Sequence, residues 1–535
     1  MRSTNLLLST IVTTLAMFTY VVNASKVDLS RHLNSTAPLI STWSDPVNKS
    51  TVDSIKAIKG ISIGGWLVTE PYITPSLYWS AKHSSYANSR TNVNIVDEYT
   101  LCKALGQEKA RQLLTQHYNS WITRKDIQNI KKHGFNLVRI PIGYWAWKKP
   151  GSIDRYVNDM MYYDPYVGGI QLSYFNRALR WCRDAGLKVM IDLHGVPGSQ
   201  NGFDNSGRRI FDGEGELGWL KEPGTRELTV EILKVIYEEY TTGEWKDLIT
   251  GIEVVNEPMA SRIGEDDIIS FYEETIDDYT ESDAATTLVL HDAFQPLGYW
   301  DEYRNDTKLP ILIDHHHYEV FNYHQNANDQ FSRLSDILEY GDDLAKEQAS
   351  HPSIVGEWSG AITDCATWLN GIGIGSRYDG TYYDKLNRSS SENGALGTCQ
   401  SYKSISEWDS EYKTRVRQFI EAQLVSYTNN SKGWIFWNWK TETAPEWDYL
   451  KLVESNLFPH PFDNLTYFYP NGSIKATNDS SLLSASGVDL EHRHANGAAR
   501  LTGNPMLQHA FQYLSKLTPL LAAVALVAVV SFANF

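Results

Sequence analysis

Asn136-Leu137-Val138-Arg139-Ile140-Pro141-Ile142 is a short, nearly continuous apolar run broken by a single arginine. Such a run, with no polar alternation, reads as a strand buried on both faces, as in a parallel sheet. Seven runs of similar character recur: Ile61-Ser62-Ile63, Lys188 to Leu193, Ile252 to Val255, Thr287 to Leu290, Ile311 to Asp314, Ile354-Val355 and Trp434 to Trp439. Between most of them lie stretches with helical spacing, at 108–133, 172–185, 226–241, 266–280, 334–349 and 411–427. Strands alternating with amphipathic helices predict a parallel sheet covered by helices, and eight such units predict a closed (β/α)8 TIM barrel with inserted loops, a single α/β domain over residues 57–474. A doubly wound open sheet is the alternative.

The composition agrees with a large folded core. Of 535 residues 42% are hydrophobic, with 17 Trp and 31 Tyr, far too apolar for a disordered chain. The formal net charge of −16, without a basic stretch, offers no footprint for a phosphate backbone, so nucleic acid is excluded as a partner. Four cysteines are too few for a disulfide-built scaffold and lack the close pairs of a zinc site. Three pairings are open to them in an oxidising compartment; Cys365 with Cys399, closing one loop, is the one expected.

Both ends read as targeting segments. Residues 1–24 carry Arg2, an apolar stretch and Val22-Asn23-Ala24, a signal peptide cleaved after Ala24. Residues 25–56 form a polar lead-in, and 475–516 a Ser/Asn/Gly-containing stalk. Residues 517–535 are uncharged and have no basic flank beyond them, the pattern of a GPI-attachment signal. The small residues Ala495 to Ala499 make Asn496 the expected attachment site, with Gly503 and Asn504 better spaced; a C-terminal transmembrane helix is the rival. Either places the protein at the cell surface. Sequons at Asn34, Asn48, Asn305, Asn387, Asn429, Asn464, Asn471 and Asn478 fit a secreted, glycosylated chain.

Barrels of this kind carry their chemistry at the C-terminal ends of the strands. Arg139 lies in the second strand, His194 follows the third, Asn256-Glu257 the fourth, His316 and Tyr318 the sixth, and Glu357 the seventh. Two carboxylates on one rim are the equipment for glycoside hydrolysis, one protonating the leaving oxygen and the other attacking or activating water. Taken singly, each is equally a salt-bridge or cap residue. In Asp314-His315-His316-His317-Tyr318, alternation puts His316 and Tyr318 on one face and His315 and His317 on the other, so the three histidines do not converge and no metal is expected. Gly371-Ile372-Gly373-Ile374-Gly375 lacks the strand-turn-helix context of a phosphate loop and reads as a flexible loop.

Together, Gly64-Gly65-Trp66, Glu70-Pro71-Tyr72, Asn136 to Gly143, Asp192-Leu193-His194-Gly195, Asn201 to Gly207, Val255-Asn256-Glu257-Pro258, Val355-Gly356-Glu357-Trp358 and Trp437 to Glu442 resemble the fungal exo-β-1,3-glucanases of glycoside hydrolase family 5, over about residues 57–470. The hydrophobic tail is similar to that of the family's membrane- or wall-attached branch. The resemblance implies that Glu257 is the acid/base and Glu357 the nucleophile of a retaining reaction. It implies that Asn256 bonds the sugar 2-hydroxyl, that Arg139 holds the nucleophile ionised, that Tyr318 bonds the nucleophile and that His316 lies near the acid/base. Glu70, Tyr72, His194 and Asp204 would hold the terminal sugar, Phe203 and Phe321 would stand at the pocket entrance, and Trp437 would stack under the sugar, with Trp439 a rival on the same strand face. The expected partner is β-1,3-glucan, with membrane attachment through a GPI anchor, no cofactor and a monomeric state. A transglycosylase, a broader β-glucosidase accepting β-1,6 or aglycone glucosides, and an inactive glucan-binding wall protein are the alternatives.

Overall fold

The computed structural model describes residues 55–84, 93–211, 215–282, 286–304, 309–382 and 394–475. The signal peptide, nearly all of the lead-in, the stalk beyond residue 475, the hydrophobic tail, and Asn34, Asn48, Asn305, Asn387, Asn478 and Asn496 lie outside the described residues. Asn429, Asn464 and Asn471 are described and exposed. No helix among the described residues is long and apolar enough to cross a membrane.

Eight parallel strands close into a barrel in sequence order: β1 Ile58–Ser62, β2 Leu137–Gly143, β3 Lys188–Gly195, β4 Ile249–Glu253, β5 Thr287–His291, β6 Ile311–His316, β7 Ser353–Trp358 and β8 Gly433–Phe436. Closure is made by β1 on β8, with Ile58 opposite Gly433 and Ile61 opposite Phe436. One inward layer is aliphatic: Ile58, Leu137, Met190, Val289, Leu312, Ile354 and Ile435. β4 contributes Gly251, whose missing side chain leaves the room that Met190 and Val289 fill. Burying each of these larger side chains is worth roughly 1.5–3 kcal/mol. The outward residues Ile61, Val138, Ile140, Ile191, Ile252 and Ile313 share a second core with Leu114, Phe175, Leu179, Ile236, Phe271, Ile337 and Phe419 of the surrounding helices.

Several boundaries differ from the sequence-based expectations. The helix expected over 108–133 is two, Glu98–Ser120 and Arg124–Lys132, separated where Thr123 caps the second by exchanging hydrogen bonds with Asp126. The fifth connection carries no helix among its described residues. β7 runs on through Glu357, which pairs with His316 of β6, so Glu357 sits within the strand rather than after it. β8 stops at Phe436, and Trp437 to Trp439 are already outside the sheet. Cys365 and Cys399 form a disulfide, while Cys102 and Cys182 are buried free thiols.

Candidate active site

A cavity of about 580 Å³ is lined by residues from the loops that follow the strands. At its bottom are Glu70 (2% exposed), Tyr72 (7%), Glu257 (6%), Glu357 (4%) and Trp437 (3%). At its mouth stand Phe203 (38%), Phe294 (45%) and Phe321 (41%). The gradient from buried polar groups to exposed rings is that of a pocket with a floor.

Glu357 is reached from β7 because Gly356 leaves space. A Cβ at Gly356 would lie 2.1 Å from the Asp314 carboxylate, whose Oδ1 accepts the Gly356 amide at 2.7 Å. Glu357 Oε1 accepts from Arg139 Nη1 at 2.6 Å, and Oε2 accepts from the Tyr318 hydroxyl at 2.8 Å. Both partners are donors, so the ionised carboxylate is fully satisfied. Burial nonetheless pushes the Glu357 carboxyl well above its ordinary range, against the pull of Arg139 and with Glu257 and Asp192 as further negative neighbours. The Arg139 charge acts in the expected direction, favouring the ionised form against the cost of burial. Tyr318 is pushed up by burial and by the Glu357 charge, so it remains a protonated donor.

Arg139, expected beside the nucleophile, is there but fully buried: it lies beneath the cavity and does not line it as a substrate-binding residue would. Its Nε and Nη2 donate to Glu253 Oε2 at 2.9 and 2.7 Å, Nη2 also reaches Asn256 Oδ1 at 2.8 Å, and Nη1 lies 3.2 Å from Asp192. One guanidinium thus faces several carboxylates, and burial pushes Glu253 well up and Asp314 to about 7. Asn256 lies behind the lining, with Nδ2 unpartnered among the described residues.

Glu257 follows β4 with φ of 49°, a left-handed backbone rarely adopted by a residue with a side chain and costing of order 1–3 kcal/mol. The turn is held by Gln200 Nε2, which donates to the carbonyls of Asn256 and His194, both at 2.9 Å. Asn205 Nδ2 donates to Glu257 Oε2 at 3.0 Å. His316 Nδ1 is 2.8 Å from Glu257 Oε1 and 3.5 Å from Glu357 Oε2. Burial and the Arg139 charge push the His316 imidazole well below its ordinary range, so the ring is neutral.

Trp437 lies in the cavity because residue 64 is glycine; a Cβ there would meet its ring at 2.6 Å. Its indole N–H donates to the Tyr72 hydroxyl, and its ring stacks on His194, centroids 5.5 Å apart and 7° from parallel. His194 is therefore behind Trp437 rather than on the pocket wall, with Nδ1 on Asp192 at 2.7 Å. Trp439 is fully buried, donates to Asp126 and stacks on Tyr449, so only Trp437 of the pair faces the cavity. Burial raises Glu70 well above its ordinary range and Asp204 to about 7.

Residues the sequence reading did not assign also enter the site: Glu253 and Asp192 beneath Arg139, Asn205 on Glu257, Trp447 against Tyr318, and Phe294 beside Phe203. Asn205 belongs to the quoted Asn201 to Gly207 motif, and Glu253, an acid inside an apolar run, carries the same signal as Arg139. The Gly371 to Gly375 stretch, expected as a flexible loop, contributes Gly371 and Ile374 to the wall, where Ile372 accepts from Arg209 at 2.9 Å.

The trios Glu257, His291, His316 and Glu253, Asp314, His316 bring ligand-type atoms within 4.8 Å of one another. In the first, Nδ1 of His291 accepts from the Ala293 amide at 3.0 Å, which leaves the proton of the neutral ring on Nε2, and His316 already bonds Glu257. In the second, Glu253 bonds Arg139 and Asp314 bonds Gly356. These hydrogen bonds engage only part of each trio: Glu253 Oε1, Asp314 Oδ2 and Nε2 of His291 and His316 have no hydrogen-bond partner among the described residues.

A parallel (β/α)8 barrel whose β4 and β7 ends bring two carboxylates into one floored pocket is a glycoside hydrolase. The chain belongs to the cellulase family, glycosyl hydrolase family 5, whose profile matches residues 102–389. It is 51% identical over 447 residues to glucan 1,3-beta-glucosidase 2 of Saccharomyces cerevisiae, covering 79% of each chain. It is 41% identical over 454 residues to glucan 1,3-beta-glucosidase 2 of Candida albicans, covering 80% of this chain and 87% of that one. Among solved structures, rutinosidase from Aspergillus niger superposes with a TM-score of 0.55 at 17% identity, over 77% of this chain and 99% of that one, a likeness of fold.

Proposed function

We propose that the protein is a retaining exo-β-1,3-glucanase that releases glucose from non-reducing ends of β-1,3-glucan, with Glu357 as nucleophile and Glu257 as acid/base. The observation that carries this reading is the placement of His316 Nδ1, 2.8 Å from one carboxylate and 3.5 Å from the other. The two nearest oxygens are then no farther apart than these lengths end to end. That fits the roughly 5–5.5 Å of retaining enzymes better than the roughly 6.5–9.5 Å that leaves room for an attacking water.

In the first step Glu357 attacks the anomeric carbon as the glycosidic C–O bond breaks, and Glu257 gives its proton to the departing oxygen. In the second, Glu257 takes a proton from water, which displaces Glu357 from the same carbon and restores both groups. His316 and Asn205 orient Glu257, while Arg139 and Tyr318 orient Glu357. Asn256 would meet the sugar 2-hydroxyl from just behind the lining, its Nδ2 having no hydrogen-bond partner among the described residues. Glu70, Tyr72 and Asp204 hold the remaining hydroxyls, and Trp437 faces the C–H side of the ring. The floored pocket supports exo action, because only a chain end reaches its bottom. The relatives' names, glucan 1,3-beta-glucosidase, support the linkage.

The enzyme acts at the cell surface: residues 1–24 direct secretion and are removed, and the segment beyond an attachment site near Asn496, with its hydrophobic tail 517–535, is exchanged for a GPI anchor. Asn429, Asn464 and Asn471 are exposed and suited to carry glycans. Products of laminarin digestion test the activity. Glucose as the sole early product is expected, and a ladder of oligosaccharides would contradict exo hydrolysis.

A further inference from the structure

One wall of the pocket, formed by Leu369, Asn370, Gly371, Ile374, Arg377 and Tyr382, comes from the long connection after β7. It contains no helix or strand up to Cys399 among its described residues, so something other than a backbone ladder must set its shape. Alongside turn hydrogen bonds within the segment, such as the Ile374 amide to the Gly371 carbonyl and the Thr381 amide to the Ser376 carbonyl, one buried carboxylate gathers its donors. Asp364, 1% exposed, accepts from Ser376 Oγ (2.5 Å), the amides of Arg377 (2.8 Å) and Tyr378 (3.0 Å), Asn370 Nδ2 (3.0 Å) and Arg377 Nη1 (3.3 Å). Its own amide donates to Asn326 Oδ1 at 3.0 Å, tying the hub to the short helix Tyr323–Ala327 that follows β6. The next residue is Cys365, whose disulfide to Cys399 closes the segment, and Ser376 Oγ is also 3.3 Å from Cys399 Sγ.

We infer that Asp364 is a positioning residue for substrate length: it holds Asn370 and Arg377, which share a further hydrogen bond of 2.7 Å, in the wall along which the departing glucan chain lies. The inference rests on the glucosidase reading above. The floor that receives the reacting sugar is built from other elements, Glu70, Tyr72, Trp437 and the two carboxylates, so loosening the wall leaves that floor intact. Removing the charge while keeping the shape, as in Asp364→Asn, leaves buried N–H groups short of an acceptor and lets the wall shift.

The test compares two substrates on the full-length enzyme. β-Glucosyl fluoride has a one-atom leaving group and reads only the floor and the carboxylates; laminaritriose also reads the wall. Asp364→Asn should keep kcat/KM for the fluoride within about twofold of the parent while raising KM for laminaritriose about tenfold with kcat little changed, as expected when uniform binding contacts are lost. Ser376→Ala, which removes one spoke of the hub, should shift KM in the same direction by less, and it decides the matter if Asp364→Asn does not fold. Unchanged laminaritriose KM in the folded variants, or equal losses on both substrates, would overturn the inference. A parent enzyme that turns over neither substrate would contradict the glucosidase reading itself, and this inference with it.

Discussion

Arg139 Nη1 lies 2.6 Å from Oε1 of Glu357, and the same guanidinium grips Glu253 from its other edge. The reacting carboxylate is thereby joined to a charge network buried under the barrel's C-terminal end. Removing the arginine strands several carboxylates without a counter-charge, and breaking a buried pair costs about 3–5 kcal/mol. Arg139→Met should lower the thermal midpoint sharply. Arg139→Lys keeps the charge but loses the fork, and should fold while kcat/KM falls by about 10²-fold or more. Differential scanning calorimetry with steady-state kinetics on the two variants checks this.

Glu357→Ala should lose kcat by about 10⁴-fold or more, as expected for a nucleophile. Azide should restore part of the turnover and give an α-glucosyl azide, because it attacks the face the nucleophile has vacated. Glu257→Ala should spare the first step for aryl glucosides with good leaving groups, which need no proton. Normal activity in the Glu357 variant would remove the assignment.

The pH profile follows from the direction of the Glu357 shift. Attack requires the ionised form, and burial raises this carboxyl above its ordinary range. Activity is therefore lost as pH falls through that raised pKa, placing the acidic limb above the roughly 4.3 of an unperturbed glutamate. Tyr318→Phe removes a hydrogen bond that favours the ionised form, so its acidic limb should move to higher pH. A limb that stays or moves down in kcat/KM profiles of this variant contradicts the role given to Tyr318.

Trp437→Ala should raise KM for all glucosides by about 5- to 30-fold, on the scale of an aromatic platform worth about 1–2 kcal/mol. Trp439→Phe should change the thermal midpoint and leave KM near the parent value. The comparison is read from initial rates on laminaribiose.

The barrel was legible in the sequence because its strands are buried on both faces and so appear as short continuous apolar runs; the ends of Asn136 to Ile142 and Lys188 to Leu193 lie within two residues of the observed strand ends. Trp437 and Trp439 could not be separated by strand alternation, because the chain leaves the sheet after Phe436 and the period of two no longer applies. Arg139 and His194 were recognisable as special but not as supports, since polarity inside an apolar run does not say which way the group's partners lie. The Asp364 hub left no periodic trace: its donors are spread over residues 370–378 and meet only in the folded loop.

A chain stopped before Ala495 should be secreted with its activity intact, because every candidate site residue lies at or before Trp447. Phosphatidylinositol-specific phospholipase should release active enzyme from membranes carrying the full-length protein. Detection of residues 517–535 in the mature membrane form by mass spectrometry would favour a spanning helix over a GPI anchor.

Proton NMR of the first minutes of laminarin digestion bears most directly on the account, since it reads cleavage mode and stereochemistry at once. A retaining enzyme with a floored pocket should show glucose as the only new reducing sugar, released as the β-anomer and only later equilibrating to α. Glucose appearing first as the α-anomer, or oligosaccharides accumulating alongside it, would contradict the pairing of Glu357 with Glu257 at the bottom of a pocket that admits only chain ends.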